Sequence, residues 1–255
     1  MPNEDLKQDT HDHSQGKHAH GHDTHDHDDE GCACCSGDAA PQTIVKICGF
    51  QRAEDVEMAI NKGADIVGFV VNYPTPVPWN QEPEEAAHII KQIPAEIGTC
   101  VVTGGSIKDA FAIAGQLRPD YLQYHWESTV EDTTQLITDL QEIGVQLIQV
   151  IFPHQDNIEG LAHAYYKAGV CALLLDPRAP DTATEGGPVD FALYKRVQSA
   201  ADCPVIVAGS ITPENVAEIV QGTGAPIIDL MSGIETEPGI KDKNEVENLF
   251  KALAL

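Results

Sequence analysis

Between residues 43 and 233, eight short apolar runs alternate with stretches that carry the hydrophobic spacing of amphipathic helices. The runs are TIVKICG (43–49), ADIVGFVV (64–71), GTCVVTG (98–104), YLQYH (121–125), VQLIQVIF (145–152), CALLLD (171–176), PVIVAGS (204–210) and PIIDLMSG (226–233). AEDVEMAINKG, PEEAAHIIKQI and TPENVAEIVQG are typical of the segments between them. Runs of this length read as strands and the intervening pattern as helices. Strictly alternating strands and helices build parallel sheets, because a parallel strand pair needs a long crossover. Eight such units in residues 41–255 predict a closed (β/α)8 TIM barrel. A doubly wound open sheet is the alternative, but no GxGxxG follows the first run.

Residues 1–40 differ in kind. They contain almost no large apolar side chain, so burial cannot offset the entropy of ordering them, and they read as a disordered tail. The tail carries His11, His13, His18, His20, His22, His25 and His27, followed by Cys32, Cys34 and Cys35. Imidazole, carboxylate and thiolate together form a donor set for zinc, nickel or copper. The pattern fits a buffer or delivery segment, or a solvated low-complexity tail with incidental metal affinity. Cys48, Cys100, Cys171 and Cys203 stand singly in apolar settings. An odd total of seven cysteines and no secretion signal argue against a disulfide scaffold.

Forty acidic and fifteen basic residues give a net charge of −25. Such a surface repels nucleic acid and anionic membranes. No run of eighteen apolar residues suggests a membrane span, and a cytoplasmic location is expected. Oligomeric state is not encoded in these features. An anionic substrate would require concentrated local donors.

A barrel of this type places its chemistry at the C-terminal ends of its strands. The first run ends in Cys48-Gly49, with Lys46 two residues earlier on the same face. Nearby positive charge lowers a thiol's pKa and apolar burial raises it, so Cys48 reads either as a general base or as a packed small hydrophobe. Asp176 closes the sixth run, where partial desolvation would favour a protonated acid; the alternative is a carboxylate capping a loop. After the last three runs come Gly186 and Gly187, then Gly209 and Ser210, then Ser232 and Gly233. Small-residue turns leading into helices offer backbone N–H groups to a phosphate.

The pieces VKICGF, GADIVGFVV, DYLQYH, LLLD, VAGSITPENV and IDLMSGIETEPGIKD resemble, in this order, the phosphoribosylanthranilate isomerase family of tryptophan biosynthesis. The resemblance covers nearly all of residues 43–255. It implies a TIM barrel that performs an Amadori rearrangement of a small phosphorylated substrate without cofactor or metal. It implies Cys48 as general base and Asp176 as general acid, with Gln123, His125 and Asp229 shaping the pocket. Two stretches depart from the family pattern. The Ser-Pro-Arg segment expected after the second strand reads Tyr73-Pro74-Thr75-Pro76-Val77-Pro78-Trp79, without an arginine. Arg178 or Arg52, both near strand ends, are the candidate replacements. The glycine-rich stretch after the sixth strand reads Thr184-Glu185-Gly186-Gly187-Pro188, with an acid near the expected anion. A diverged barrel acting on another phosphorylated metabolite, or a metal-handling protein using the tail, are the competing readings.

Overall fold

The computed structural model describes residues 43–182 and 186–254. Strands β1 (Ile44–Ile47), β2 (Ile66–Val70), β3 (Gly98–Thr103), β4 (Tyr121–Tyr124), β5 (Gln146–Ile151), β6 (Ala172–Leu175), β7 (Val205–Ala208) and β8 (Ile227–Leu230) are all parallel. They pair in sequence order and β8 closes on β1, giving the barrel and not the open sheet. Each is followed by one helix: α1 (Ala53–Lys62), α2 (Pro83–Ile90), α3 (Ile107–Leu117), α4 (Val130–Gln141), α5 (Ile158–Ala168), α6 (Phe191–Ala200), α7 (Val216–Thr223) and α8 (Lys243–Leu253). A short antiparallel hairpin, β9 (Glu235–Glu237) and β10 (Ile240–Lys241), is inserted before α8. The histidine- and cysteine-rich segment read as a tail lies outside the described residues. Among the described residues, no helix is long and apolar enough to cross a membrane.

Local chemistry starts several helices. The side chains of Ser106, Thr129, Asp190 and Asp242 accept backbone N–H groups at the first turns of α3, α4, α6 and α8. Each cap stabilises its helix by about 1 kcal/mol. The strands then sort their side chains by alternation. Val67, Phe69, Leu122, Leu173, Val207 and Ile228 belong to the core between strands and helices. Ile66, Val70, Val102, Ile148, Leu174 and Ile206 fill the barrel interior.

The interior also holds an ion pair. Lys46 and Asp229 are register partners across the β1–β8 closure, and Lys46 Nζ donates to Asp229 Oδ2 at 2.8 Å. Lys46 is fully buried. Burial opposes its charge, but Asp229 more than compensates and raises the lysine's pKa above its ordinary value.

Candidate active site

A pocket of about 650 Å³ opens at the C-terminal mouth of the barrel. Cys48 reaches it from the end of β1, Gln123 and His125 from β4, and Asp176 and Arg178 from the end of β6. Asp229 enters from β8, and Gly209, Ser210, Ser232 and Gly233 from the loops after β7 and β8. Ten sequence candidates that are scattered over 186 positions, from Cys48 to Gly233, thus line one cavity. The thiol sits in a niche that the neighbouring strand leaves for it, because a Cβ at Gly68 would lie 2.7 Å from Cys48 Sγ.

The two central groups are biased in opposite directions. Burial pushes the Cys48 thiol up; Lys46 and Lys241 pull it back without cancelling the effect. Lys241 is itself buried beside this strand end, its Nζ donating to the Cys48 carbonyl oxygen at 2.6 Å and to Glu235 Oε1 at 2.5 Å. Burial also opposes charge on Asp176, but the His125 ring and Arg178 outweigh it and hold the carboxyl below its usual range. His125 Nε2 lies 3.4 Å from Asp176 Oδ2, and the Arg178 backbone N–H donates to Asp176 Oδ1 at 2.9 Å. This corrects the expectation that desolvation keeps Asp176 protonated: its cationic and N–H partners are stronger than the burial. The surroundings thus favour the protonated form of the thiol and the ionised form of the carboxyl.

Small residues and one cation also line the pocket. Arg178 Nη2 donates to Ser232 Oγ at 3.3 Å, while its buried Nε has no hydrogen-bond partner among the described residues. Gly186 lies beside it: a Cβ there would be 3.4 Å from both Arg178 Nε and Ser210 Oγ. Gly209 adopts φ +115°, and a Cβ on it would lie 2.8 Å from the Gly187 carbonyl oxygen and 2.7 Å from Pro177. Only glycine lets the loops after β6 and β7 approach so closely. In Gly209→Ala, strain of about 1–3 kcal/mol falls on these loops. The expected result is a rise of about tenfold in KM for a phosphorylated substrate, with kcat less affected, measured by steady-state kinetics.

Arg52 is one sequence candidate that does not line the pocket. It precedes α1 and is held by that helix's own carboxylates, donating to Asp55 at 2.7 and 2.9 Å and pairing with Glu54 at 3.0 Å. Gly186 and Gly187 stand next to Arg178 and Gly209 without being lining residues. Glu185 and the ten tail ligands lie outside the described residues. Two aromatic side chains were passed over in the segment read for its missing arginine. Tyr73 and Trp79 both line the pocket, and Trp79 Nε1 donates to Glu235 Oε2 at 3.0 Å. The Arg178 guanidinium lies 5.8 Å from the Trp79 ring centroid. Their placement in the loop after β2, at the functional end of the barrel, was the available signal.

A model of the family described as N-(5'-phosphoribosyl)anthranilate (PRA) isomerase matches residues 45–252. The N-(5'-phosphoribosyl)anthranilate isomerase of Rhodospirillum rubrum is 33% identical over 221 residues, covering 83% of this chain and 98% of the relative. That of Acinetobacter calcoaceticus is 30% identical over 214 residues, covering 83% and 97%. Among solved structures, the phosphoribosyl anthranilate isomerase of Thermus thermophilus superposes with a TM-score of 0.70 at 26% identity, over 83% of this chain and 98% of that one. Motif order, barrel closure and relatives agree over the same residues, and the chain belongs to the N-(5'-phosphoribosyl)anthranilate isomerase family.

Proposed function

We propose that this isomerase converts N-(5'-phosphoribosyl)anthranilate into 1-(2-carboxyphenylamino)-1-deoxyribulose 5-phosphate, with Cys48 as the base and Asp176 as the acid. The supporting observation is a thiol and a carboxyl at the ends of β1 and β6 in one pocket, beside small-residue loops and a cation. Asp176 gives its proton to the furanose ring oxygen as the C1′–O bond breaks, and the amine nitrogen supplies the electrons that form an iminium. Cys48, as thiolate, then removes the C2′ proton to leave an enolamine, which ketonises to product. The turnover ends with Cys48 protonated and Asp176 ionised, and exchange with water moves a proton from the thiol back to the carboxyl before the next turnover. A substrate anion that engages Arg178 withdraws one of the charges that depress Asp176, moving it toward the acid role. Lys46 and Lys241 favour the thiolate.

The decisive experiment is complementation of a tryptophan auxotroph lacking this isomerase, with the full chain and with a version starting near Ala40. Growth is expected from both. Absence of growth from either well-expressed version would sink the reading.

Arg178 replaces the absent Ser-Pro-Arg arginine as the partner of the anthranilate carboxylate. It faces the pocket across from the loop after β2, whereas Arg52 is committed to α1. Losing a charge-assisted contact costs about 1.5–3 kcal/mol, so Arg178→Met raises KM about 10- to 150-fold, with a smaller change in kcat. An unchanged KM would remove Arg178 from this role. For residues 1–40 the proposal rests on donor chemistry alone: the segment loads zinc, nickel or copper, and removing it abolishes that loading. Stoichiometric metal retained by the shortened protein would refute it.

A further inference from the structure

His125 and Tyr73 form a buried hydrogen-bonded pair behind Asp176. The Tyr73 hydroxyl lies 2.6 Å from His125 Nδ1 and 3.1 Å from the His125 carbonyl oxygen. A hydroxyl has one hydrogen to donate and lone pairs with which to accept. With the Tyr73 hydrogen directed at the carbonyl oxygen, the hydroxyl oxygen accepts from Nδ1–H. That arrangement selects the tautomer. Nδ1 keeps its proton, and Nε2, 3.4 Å from Asp176 Oδ2, is the nitrogen left to exchange one.

We propose that Tyr73 and His125 are positioning residues for the acid: Tyr73 pins a proton on His125 Nδ1, so that Nε2 and Asp176 share one further proton and keep the carboxyl loaded. This rests on the reading of Asp176 as the acid. With the shared proton on the carboxyl, its O–H faces a neutral ring; with the proton on Nε2, an imidazolium faces a carboxylate. When Asp176 protonates the substrate's ring oxygen, the pair loses that proton, and water at the pocket mouth returns one before the next turnover.

The surroundings leave few other partners for the imidazole. From β5, Phe152 meets its ring at 5.1 Å with an interplanar angle of 85°. From the segment after β6 come Asp176 and Arg178, and Asp181 acts on Tyr73 through its charge. Thr75 Oγ1 donates to the Pro180 carbonyl oxygen at 2.9 Å, tying the loop that carries Tyr73 to the one that follows Asp176.

Tyr73→Phe keeps the ring and removes the acceptor. The histidine then favours the Nε2–H tautomer, which stabilises the Asp176 carboxylate and lowers the pKa of the pair. The active form has the pair protonated, so the limb of the kcat–pH profile that reports the pair moves to lower pH, by about one unit. kcat at neutral pH falls about tenfold, as expected for one lost buried hydrogen bond, with KM within about threefold. An unmoved limb, or a raised KM with kcat intact, would overturn the proposal. A second arm needs neither the variant's stability nor any substrate: ¹⁵N NMR of the unmodified protein, with the His125 signals assigned by comparison with His125→Gln. Nδ1 is expected to carry a proton, and an unprotonated Nδ1 would overturn the pinning. Because this arm does not use turnover, it separates failure of the relay from failure of the isomerase reading.

Discussion

Replacing Cys48 by alanine lowers kcat by about 10²- to 10⁴-fold, the usual contribution of a positioned acid–base group, and changes KM by less than about threefold. The thiol lines the pocket and its proposed part is in proton removal, so its loss touches the chemical step more than binding. Serine in its place recovers little, because a hydroxyl ionises far less readily than a thiol under the same two lysines. The sulfur also packs beside Gly68 within the apolar cluster inside the barrel, so some stability is lost together with the base. Melting temperature and steady-state kinetics measured together distinguish the effects. A folded Cys48→Ala protein with kcat within threefold of the unmodified enzyme would remove Cys48 from the base role.

Lys46→Met gives the largest expected loss of stability, about 3–5 kcal/mol, because it leaves Asp229 as an uncompensated carboxylate inside the barrel. Urea denaturation measures it. Lys46→Met combined with Asp229→Leu recovers most of the loss, since the costly element is the unpaired charge and not the missing attraction. The single variant also carries a kinetic signature. Lys46 lowers the thiol's pKa, so without it less thiolate coexists with a protonated Asp176 and kcat falls. A single variant as stable as the unmodified protein would show that the pair does not hold the closure of β1 on β8.

The strands were legible in the sequence because a strand buried on both faces needs a short run of apolar residues, whatever its neighbours are. Their ends were read too long: TIVKICG contains only Ile44–Ile47 as strand, and Cys48 and Gly49 belong to the turn at the mouth. The site was legible for the same local reason, since a parallel barrel must put every strand's C-terminal end on one rim. Arg52 was misplaced because nearness to a strand end says nothing of the helix carboxylates that capture it. Asp176 was placed correctly and its charge state was not, because local burial is visible in the pattern while the His125 and Arg178 contacts are not.

Periodicity and strand-end residues were enough to specify a (β/α)8 barrel and the rim on which Cys48, Asp176 and the small-residue loops gather. The partners that set their chemistry came only with closure. Lys46 meets Asp229 across 183 positions, Lys241 meets the Cys48 carbonyl across 193, and Tyr73 meets His125 across 52. Hydrophobic pattern records which face of a strand is buried, but the register at which strands meet depends on all eight closing together. That register decides which charges stand within hydrogen-bonding distance of the thiol and the carboxyl.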